Sequence, residues 1–325
     1  AGDSVSKAAK LLGVPSWAAN MRIAGPWLWW DGEKECPVGA LVPMPADLAR
    51  VGKKSQDGRI VRLHPLKTSL PGWTPPEGGD SDMIPLWYGG HEEIEKAGGY
   101  LDLEGLRIYL SGRAPEKKHL HSADMFFGWE DRSGIAVDAD SKTAEDHMLY
   151  SARFLRLCER VRFYAEVLFG EDAPEKSDIS GKFNGSSIRF GGEGRRVRVT
   201  ACDSPFDWPT AENTAGGSLA LLIAPGIFGM GADGGPNWRP DSDHLPKLRA
   251  AAVPGSTALS GWDLARRRPK PTRHAVNAGA VYFFEGDGES PGNGAGPFVH
   301  LCGNDELDAV GYGLSLQGGW KHDDK

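Results

Sequence analysis

The sequence contains no apolar run long enough for a membrane-spanning helix. No stretch approaches the roughly 18 consecutive apolar residues that such a helix requires. The opening residues, Ala1-Gly2-Asp3-Ser4, have neither the basic region nor the apolar region of a secretory signal. We therefore expect a cytoplasmic protein with no membrane partner.

Cysteine is scarce and histidine is scattered. The four cysteines of the 325 residues lie far apart: Cys36, Cys158, Cys202 and Cys302. Without a CxxC pair they indicate neither a disulfide framework nor a zinc site, so we expect buried thiols in a reducing compartment. Only His119 and His121 form a close pair, and neither has an acidic or cysteine residue at ligand spacing. This pair favours a basic loop over a metal site, and no metal or other cofactor is predicted.

The chain also lacks an excess of positive charge, with a net charge of −7. This balance argues against a protein that coats nucleic acid non-specifically. Residues 261–274, GWDLARRRPKPTRH, are an exception. They contain one acid, Asp263, and five cations, which gives a local charge of +4. The cations are Arg266, Arg267, Arg268, Lys270 and Arg273. Pro269 and Pro271 exclude a helix and favour an extended segment. With Trp262 at its base, the segment suits single-stranded RNA, although a solvated surface loop is the common alternative.

Most of the sequence has the pattern of β-strands. Residues 161–167 alternate between apolar and polar side chains with period two. Residues 186–200 predict a hairpin that turns at 191–194 and has its apolar side chains on one face. Its other face carries three arginines, which either are solvated or bind phosphate: Arg189, Arg196 and Arg198. Residues 148–157 fit either a helix or the first arm of a hairpin that turns near 158–160. Further strands are predicted at 218–224, 248–253, 273–276, 279–285 and 308–316.

Helical signals are few and short. They cover residues 4–12 and 141–146, the second with Thr143 as a plausible N-cap. Loops rich in glycine and proline fall at 65–80, 203–217 and 225–247. This pattern predicts an α+β fold of largely antiparallel sheets with long Gly/Pro-rich loops. We place a domain boundary in the 203–217 loop, which gives domains 1–210 and 211–325.

A glycine-rich segment, GYGLSLQGGW, occupies residues 311–320. Glycine at such positions usually marks a close approach of backbones or a positive φ. Exposed N–H groups there would make a cradle for phosphate oxygens, whereas a β-bulge and turn that close a sheet would explain the glycines equally well. On the phosphate interpretation, we expect Gly313→Val to disrupt RNA binding while the fold stays cooperative.

Several short stretches follow one another in an order that characterises a known family. They are IAGPWL at 23–28, VPMPADL at 42–48, EDRSGIAVD at 130–138, TAED at 143–146, MLY at 148–150, FGGEGR at 190–195, GWD at 261–263, KP at 270–271 and AGAVYFF at 278–284. No single stretch is specific, but their order over about 300 residues is. The chain resembles the RAMP proteins of the Cmr module of type III-B CRISPR effector complexes. Its terminal glycines resemble the glycine-rich loop of that superfamily.

The resemblance implies two ferredoxin-like (RRM-like) RAMP domains in a non-catalytic subunit. Such a subunit binds the 5′ tag of the guide crRNA through its glycine-rich and basic loops and caps the base of the complex, as part of RNA-guided antiviral defence. The implied partners are the crRNA, the large polymerase-like Cmr subunit, the Cas7-like backbone subunit and, indirectly, target RNA. The family begins with a strand that has no counterpart before Ala1, so we expect the first domain to lack its opening strand.

The candidate RNA-binding residues supply phosphate contacts and stacking surfaces. Besides the cations of the basic segment and the three hairpin arginines, they are Lys117, Lys118, His119, Arg132, Arg195, Trp262, Gly311, Tyr312, Gly313, Gly318 and Gly319.

Two alternative functions remain open. Some RAMP proteins cut precursor crRNA without metal by means of a general-base histidine and a nearby Lys or Tyr. Here His119 or His274 could serve with Lys117 or Lys118, although no His–Tyr–Lys arrangement is recognisable. A third interpretation is a scaffold protein, in which Trp27, Trp29 and Trp30 mark a protein interface. We expect at least one of these three tryptophans to lie in the core instead.

Overall fold

The computed structural model describes most of the chain. The described residues are 21–32, 39–52, 58–76, 82–137, 143–169, 176–192, 194–202, 205–210, 217–229, 237–240, 245–263, 266–285 and 297–320. The helix predicted at 4–12 and Cys36 lie outside these residues.

Among the described residues, β-strands far outnumber helices, as predicted. The strands are β1 (Arg22–Trp30), β2 (Gly39–Pro43), β3 (Leu48–Val51), β4 (Ile60–Arg62), β5 (His64–Pro65), β6 (Leu86–Trp87), β7 (Ile94–Lys96), β8 (Tyr100–Leu101), β9 (Leu120–His121), β10 (Phe127–Val137), β11 (Ala144–Leu157), β12 (Val161–Leu168), β13 (Ser187–Arg189), β14 (Arg196–Arg198), β15 (Ser218–Leu222), β16 (Leu248–Ala252), β17 (Ser256–Leu259), β18 (Trp262–Asp263), β19 (Arg268–Pro269), β20 (Arg273–Val276), β21 (Val281–Phe284), β22 (Phe298–His300) and β23 (Leu314–Gly319). The α-helices are α1 (Leu103–Leu110), α2 (Lys176–Phe183) and α3 (Asp305–Ala309), with 3₁₀ turns at Lys117–His119 and Ala123–Met125. No described helix has the length and apolar character needed to cross a bilayer.

Two antiparallel five-stranded sheets form the body of the protein. The first has the order β12-β1-β2-β8-β9 and the second the order β16-β21-β15-β23-β22. Every residue of β15 and β21, at the centre of the second sheet, is buried. These strands are continuous apolar runs because both of their faces are covered.

Helix α1 packs between the two sheets, against β2 of the first and β23 of the second. Its side chains Leu106, Tyr109 and Leu110 are buried in a core that also contains Val42 from the first sheet and Leu316 from the second. Burial of this shared apolar surface, at about 25 cal/mol per Å² removed from water, is what holds the sheets together.

Several hairpins extend from this body. Strands β10 and β11 pair along their length, from Phe127 opposite Leu157 to Val137 opposite Ala144. The short helix predicted at 141–146 is therefore wrong from residue 144 onward, because a helix of so few residues is unstable alone and this ladder supplies many hydrogen bonds. Residues 148–157 are a hairpin arm, but they pair with the preceding strand β10 and not with β12.

The strand predicted at 308–316 begins only at Leu314. Residues Asp305–Ala309 form a helix, because the Asn304 side chain accepts hydrogen bonds from the N–H groups of Glu306 and Leu307 at 3.0 and 3.1 Å. Gly311, with φ of +86°, lies in the turn that follows. The strand predictions for 161–167, 218–224, 248–253, 273–276 and 279–285 and the hairpin within 186–200 are confirmed.

The prediction of buried thiols is right for one cysteine of the three described. Cys302 is buried, and burial raises the pKa of its thiol to about 12. Cys158 and Cys202 are exposed, which corrects the prediction for those two. Cys158 follows the last residue of β11, and Cys202 lies in the irregular segment after β14, so neither belongs to the sheets that form the core.

Candidate nucleic-acid interface

The basic segment forms the outer part of a hairpin. Strand β17 pairs with β20, and β18 pairs with β19 further out. All residues from 266 to 274 are exposed, so the five cations face solvent, as predicted. The Trp262 ring, opposite Pro269, is 56% exposed and available for stacking. We call residues 256–276 the basic hairpin.

The single acid of the basic hairpin stabilises its turn. The Asp263 side chain accepts a hydrogen bond from the Arg266 N–H at 3.0 Å, and its carboxylate lies 3.7 Å from the Arg266 guanidinium. Arg267 has a φ of +51°, as residues in tight turns often do. These contacts hold the turn in a shape that presents its arginines to solvent.

A second cationic surface lies on the β13–β14 hairpin. Arg189 is directly opposite Arg196, and Arg198 is opposite Ser187, so all three arginines share one face, as predicted. The Arg196 guanidinium donates a hydrogen bond to the Ser187 hydroxyl at 3.0 Å, which fixes its direction. The partners Ile188 and Val197 occupy the other face.

Arg132 and Arg195, far apart in sequence, converge on one aromatic ring. The Arg195 guanidinium lies 3.8 Å and that of Arg132 5.3 Å from the centre of the Phe154 ring. Hydrogen bonding to Arg132 and the charges of Arg132, Arg156 and Arg195 lower the pKa of Glu130. We call Phe154 and the arginines around it the Phe154 cluster: Arg132, Arg156 and Arg195. The cluster combines cations with a planar ring, as single-strand binding surfaces do.

The sequence analysis missed Phe154 and Arg156. In β11 these two residues lie on the same face as Ala152, which is directly opposite Arg132. Had residues 148–157 been recognised as a strand, their period of two would have placed Phe154 and Arg156 on one face, but their position near Arg132 depends on the register of β11 against β10.

Only two of the three RNA-binding residues predicted at 117–119 are exposed. Lys117 and Lys118 are exposed, and Lys118 pairs with Glu116 at 3.0 Å. His119 is buried instead, with Nδ1 3.1 Å from the Asp102 carboxylate. We therefore remove His119 from the proposed RNA-binding residues.

Asp102 is an acidic partner that the spacing of the histidines did not reveal. It contacts His121 Nε2 at 3.1 Å as well as His119, and it accepts the Gly105 N–H at 2.7 Å as the N-cap of α1. Burial would raise the pKa of Asp102, but hydrogen bonds from His121 and Gly105 and the proximity of His119 outweigh burial and lower the pKa. Among the described residues, no group of three or more His, Cys, Asp or Glu could hold a metal ion.

The glycine-rich segment does not form the exposed cradle that we expected. The N–H groups of Gly311, Tyr312 and Gly313 donate to backbone carbonyls at 3.1, 3.0 and 2.8 Å, so they are not available to phosphate. Gly318 and Gly319 lie within β23, opposite Leu219 and Ser218. All four glycines are buried, and Tyr312 is half-buried.

Close packing explains these glycines. A Cβ atom at Gly311 would lie 2.7 Å from the Ile23 carbonyl oxygen, and one at Gly318 would lie 3.2 Å from a methyl carbon of Leu110 in α1. The turn that closes a sheet, the alternative considered from the sequence, describes this segment better than a phosphate loop.

Gly313→Val should therefore destabilise the fold, contrary to the expectation from sequence. Gly313 has a φ of +70°, and a Cβ atom there would lie 2.9 Å from the Cys302 backbone nitrogen. A left-handed conformation and overpacking together predict a loss of about 2–5 kcal/mol in the free energy of unfolding, measured by urea denaturation. Gly72→Val is the matched control, because Gly72 has a φ of +77° with no atom within 4 Å of the added carbon. Unchanged stability with lost RNA binding in Gly313→Val would restore the phosphate-loop interpretation.

The tryptophans considered as a protein interface belong mainly to the interior. Trp27 and Trp30 are buried, and Trp29 is half-buried against the core. The Trp27 indole donates a hydrogen bond to the Ile223 carbonyl oxygen at 3.1 Å, which joins β1 to the chain just after β15. These residues stabilise the fold and do not support the scaffold interpretation.

Comparisons with known proteins agree on one family. The sequence matches the family described as CRISPR-associated protein (Cas_Cmr3) over residues 2–320. The CRISPR system CMR subunit Cmr3 of Saccharolobus solfataricus is 36% identical over 78 residues, which span 24% of this chain and only 23% of that protein.

Two solved structures are also similar. A chain of the Type III-B Cmr-beta complex bound to cognate target RNA and AMPPnP, state 1, has a TM-score of 0.45 and 18% identity, covering 87% of this chain and 70% of its own length. A chain of the Type III-B Cmr-beta complex bound to cognate target RNA has a TM-score of 0.37 and 16% identity, covering 81% and 85%.

Proposed function

The chain belongs to the Cas_Cmr3 family of CRISPR-associated proteins, and we propose that it is the subunit of a type III-B Cmr complex that binds the 5′ tag of the guide crRNA. The observation that carries this proposal is the basic hairpin, in which five exposed cations and an exposed tryptophan extend from an otherwise acidic protein. The Phe154 cluster adds a second surface with the same chemistry.

We propose further that the two sheets represent two ferredoxin-like RAMP domains, 1–210 and 211–325. The strand order of the second sheet supports this division. β21 lies between β16 and β15, and β23 lies on the other side of β15, after helix α3. A split arrangement of this kind is typical of a β-α-β-β-α-β unit.

In this proposal the protein is a non-catalytic subunit that caps the base of the complex. Its partners are the large polymerase-like Cmr subunit, the Cas7-like backbone subunit and, indirectly, target RNA. Of the two histidines considered as a general base, His119 is buried and bonded to Asp102, so it is poorly placed to act on an RNA. We expect precursor crRNA incubated with the protein in EDTA to stay intact, whereas a specific cleavage product would indicate a nuclease.

Co-purification tests the binding function directly. We expect the chain, isolated with its natural partners, to retain short RNAs that share one fixed 5′ end and that crosslink to residues 262–274 or to the Phe154 cluster. RNA without a common 5′ end, or no RNA, would contradict the proposal. Crosslinks confined to other surfaces would contradict the assignment of the interface but not the function.

A further inference from the structure

A small groove lies at the base of the basic hairpin. It has a volume of about 190 Å³ and is lined by Asn237, Trp238, Val253, Gly255, Ser256, His274 and Val276. This volume is below the roughly 300–1,000 Å³ typical of pockets for drug-sized ligands, so the groove suits a small group. Strand β20 connects it directly to the cations, since Arg273 precedes His274 in that strand.

The lining has the chemistry that a nucleobase requires. Of the lining residues, Trp238, Val253 and Val276 are apolar, whereas Asn237, Ser256 and His274 carry polar groups. A flat aromatic heterocycle can stack on the first set and direct its polar edge at the second.

Asn237 is held in a defined orientation. Its Nδ2 donates to the Phe228 carbonyl oxygen at 2.9 Å, and its Oδ1 accepts from the Arg239 N–H at 3.0 Å. An amide side chain has two N–H donors and two acceptor lone pairs, so after its bonds to the described residues Asn237 has one of each to offer a ligand. The backbone at Trp238 is anchored as well, because its carbonyl oxygen accepts a hydrogen bond from the Tyr282 hydroxyl at 2.7 Å, and the Trp238 side chain packs against the buried cluster that contains Tyr282. A preorganised site of this kind loses little entropy on binding.

We propose that this groove holds one unstacked nucleobase of a single-stranded RNA whose phosphates lie along the basic hairpin. The inference rests on the proposed RNA-binding function and adds a base-binding site to it. Lys270 lies four residues before His274, about 13 Å along an extended strand, so cations and groove can be reached by neighbouring nucleotides of one strand.

An abasic scan of the RNA tests the groove. The probe is a fluorescein-labelled RNA with the 5′ sequence of the co-purified guide, together with derivatives that each lack one base, titrated with the full chain. Removal of one particular base should weaken binding by about 5- to 150-fold, the range expected for loss of a stacked base. In Trp238→Ala this penalty should vanish, whereas Trp87→Ala, which removes an exposed ring on β6, should retain it.

A second variant tests the groove independently in case Trp238→Ala does not fold. Ser256 is exposed on β17, so Ser256→Phe should fill the groove without disturbing the core and should also abolish the position-specific penalty. A scan in which no single base matters, or a penalty that persists in both variants, would overturn the groove while leaving RNA binding itself in place. Failure of the unmodified RNA to bind would instead contradict the proposed function.

Discussion

Replacing Asp47 with alanine should lower the free energy of unfolding by about 3–5 kcal/mol, the largest stability effect that we expect from a single side chain. The Asp47 carboxylate is fully buried and accepts hydrogen bonds from Arg62 Nε and the Tyr109 hydroxyl, both at 2.8 Å. Its loss would leave the buried Arg62 guanidinium without a counter-ion in a medium that solvates charge poorly.

The position of this group explains why the fold depends on it. Asp47 immediately precedes β3, Arg62 ends β4, and Tyr109 belongs to α1, so three elements meet at one carboxylate. Arg62 also donates to the Tyr109 carbonyl oxygen at 3.2 Å and lies over the Tyr109 ring. Burial alone would lower the pKa of Arg62, but Tyr109 and Asp47 outweigh burial and raise it. The guanidinium therefore remains charged at neutral pH although it is buried.

Urea denaturation followed by tryptophan fluorescence measures the effect. Asp131→Ala is the matched control, because Asp131 pairs with Arg153 at 2.7 Å on the surface, where such pairs contribute little. The double variant Asp47→Leu/Arg62→Met should recover much of the lost stability, since it removes both buried charges together. Equal midpoints for Asp47→Ala and Asp131→Ala would refute the structural role of the buried pair.

The parts of this fold that could be predicted from sequence are those with local signals. Period-two alternation located β12 and the β13–β14 hairpin. The two prolines correctly excluded a helix from the basic segment, but the segment is not extended as predicted, because it turns back on itself at Arg266 and Arg267. These signals depend on residues a few positions apart, and the structure preserves them because each segment also finds a pairing partner.

The parts that could not be predicted depend on contacts between distant residues. His119 meets an acid 17 residues earlier, and Phe154 meets Arg195 from another hairpin. The N–H groups of the 311–313 turn are used within the chain, which no pattern of glycines can show. Asp47 lies in the VPMPADL stretch at 42–48. Because aspartate is charged, it would ordinarily be assigned to the surface.

Replacing Arg266, Arg267 and Arg268 with alanine together should weaken guide RNA binding and reduce its salt dependence. If the protein contacts about five phosphates, the slope of log affinity against log salt should be near −3.5, since each contact contributes about −0.7 for single strands. Three lost contacts would change that slope to about −1.4. Between 50 and 200 mM salt, the wild-type protein should then lose about 100-fold in affinity and the triple variant only about 7-fold.

The slope separates this assignment from a general effect of charge. Lys96, Arg107 and Arg113 are also exposed cations and lie outside the basic hairpin, so their triple alanine variant has the same net charge but should keep the wild-type slope. Fluorescence anisotropy across a salt series measures both variants. Because Asp263 and the backbone of the turn are untouched, the hairpin should stay folded in the arginine variant. A slope that stays near −3.5 in the arginine variant would show that the RNA phosphates do not lie on the basic hairpin. A slope that becomes equally shallow in the arginine variant and in the control variant would show the same.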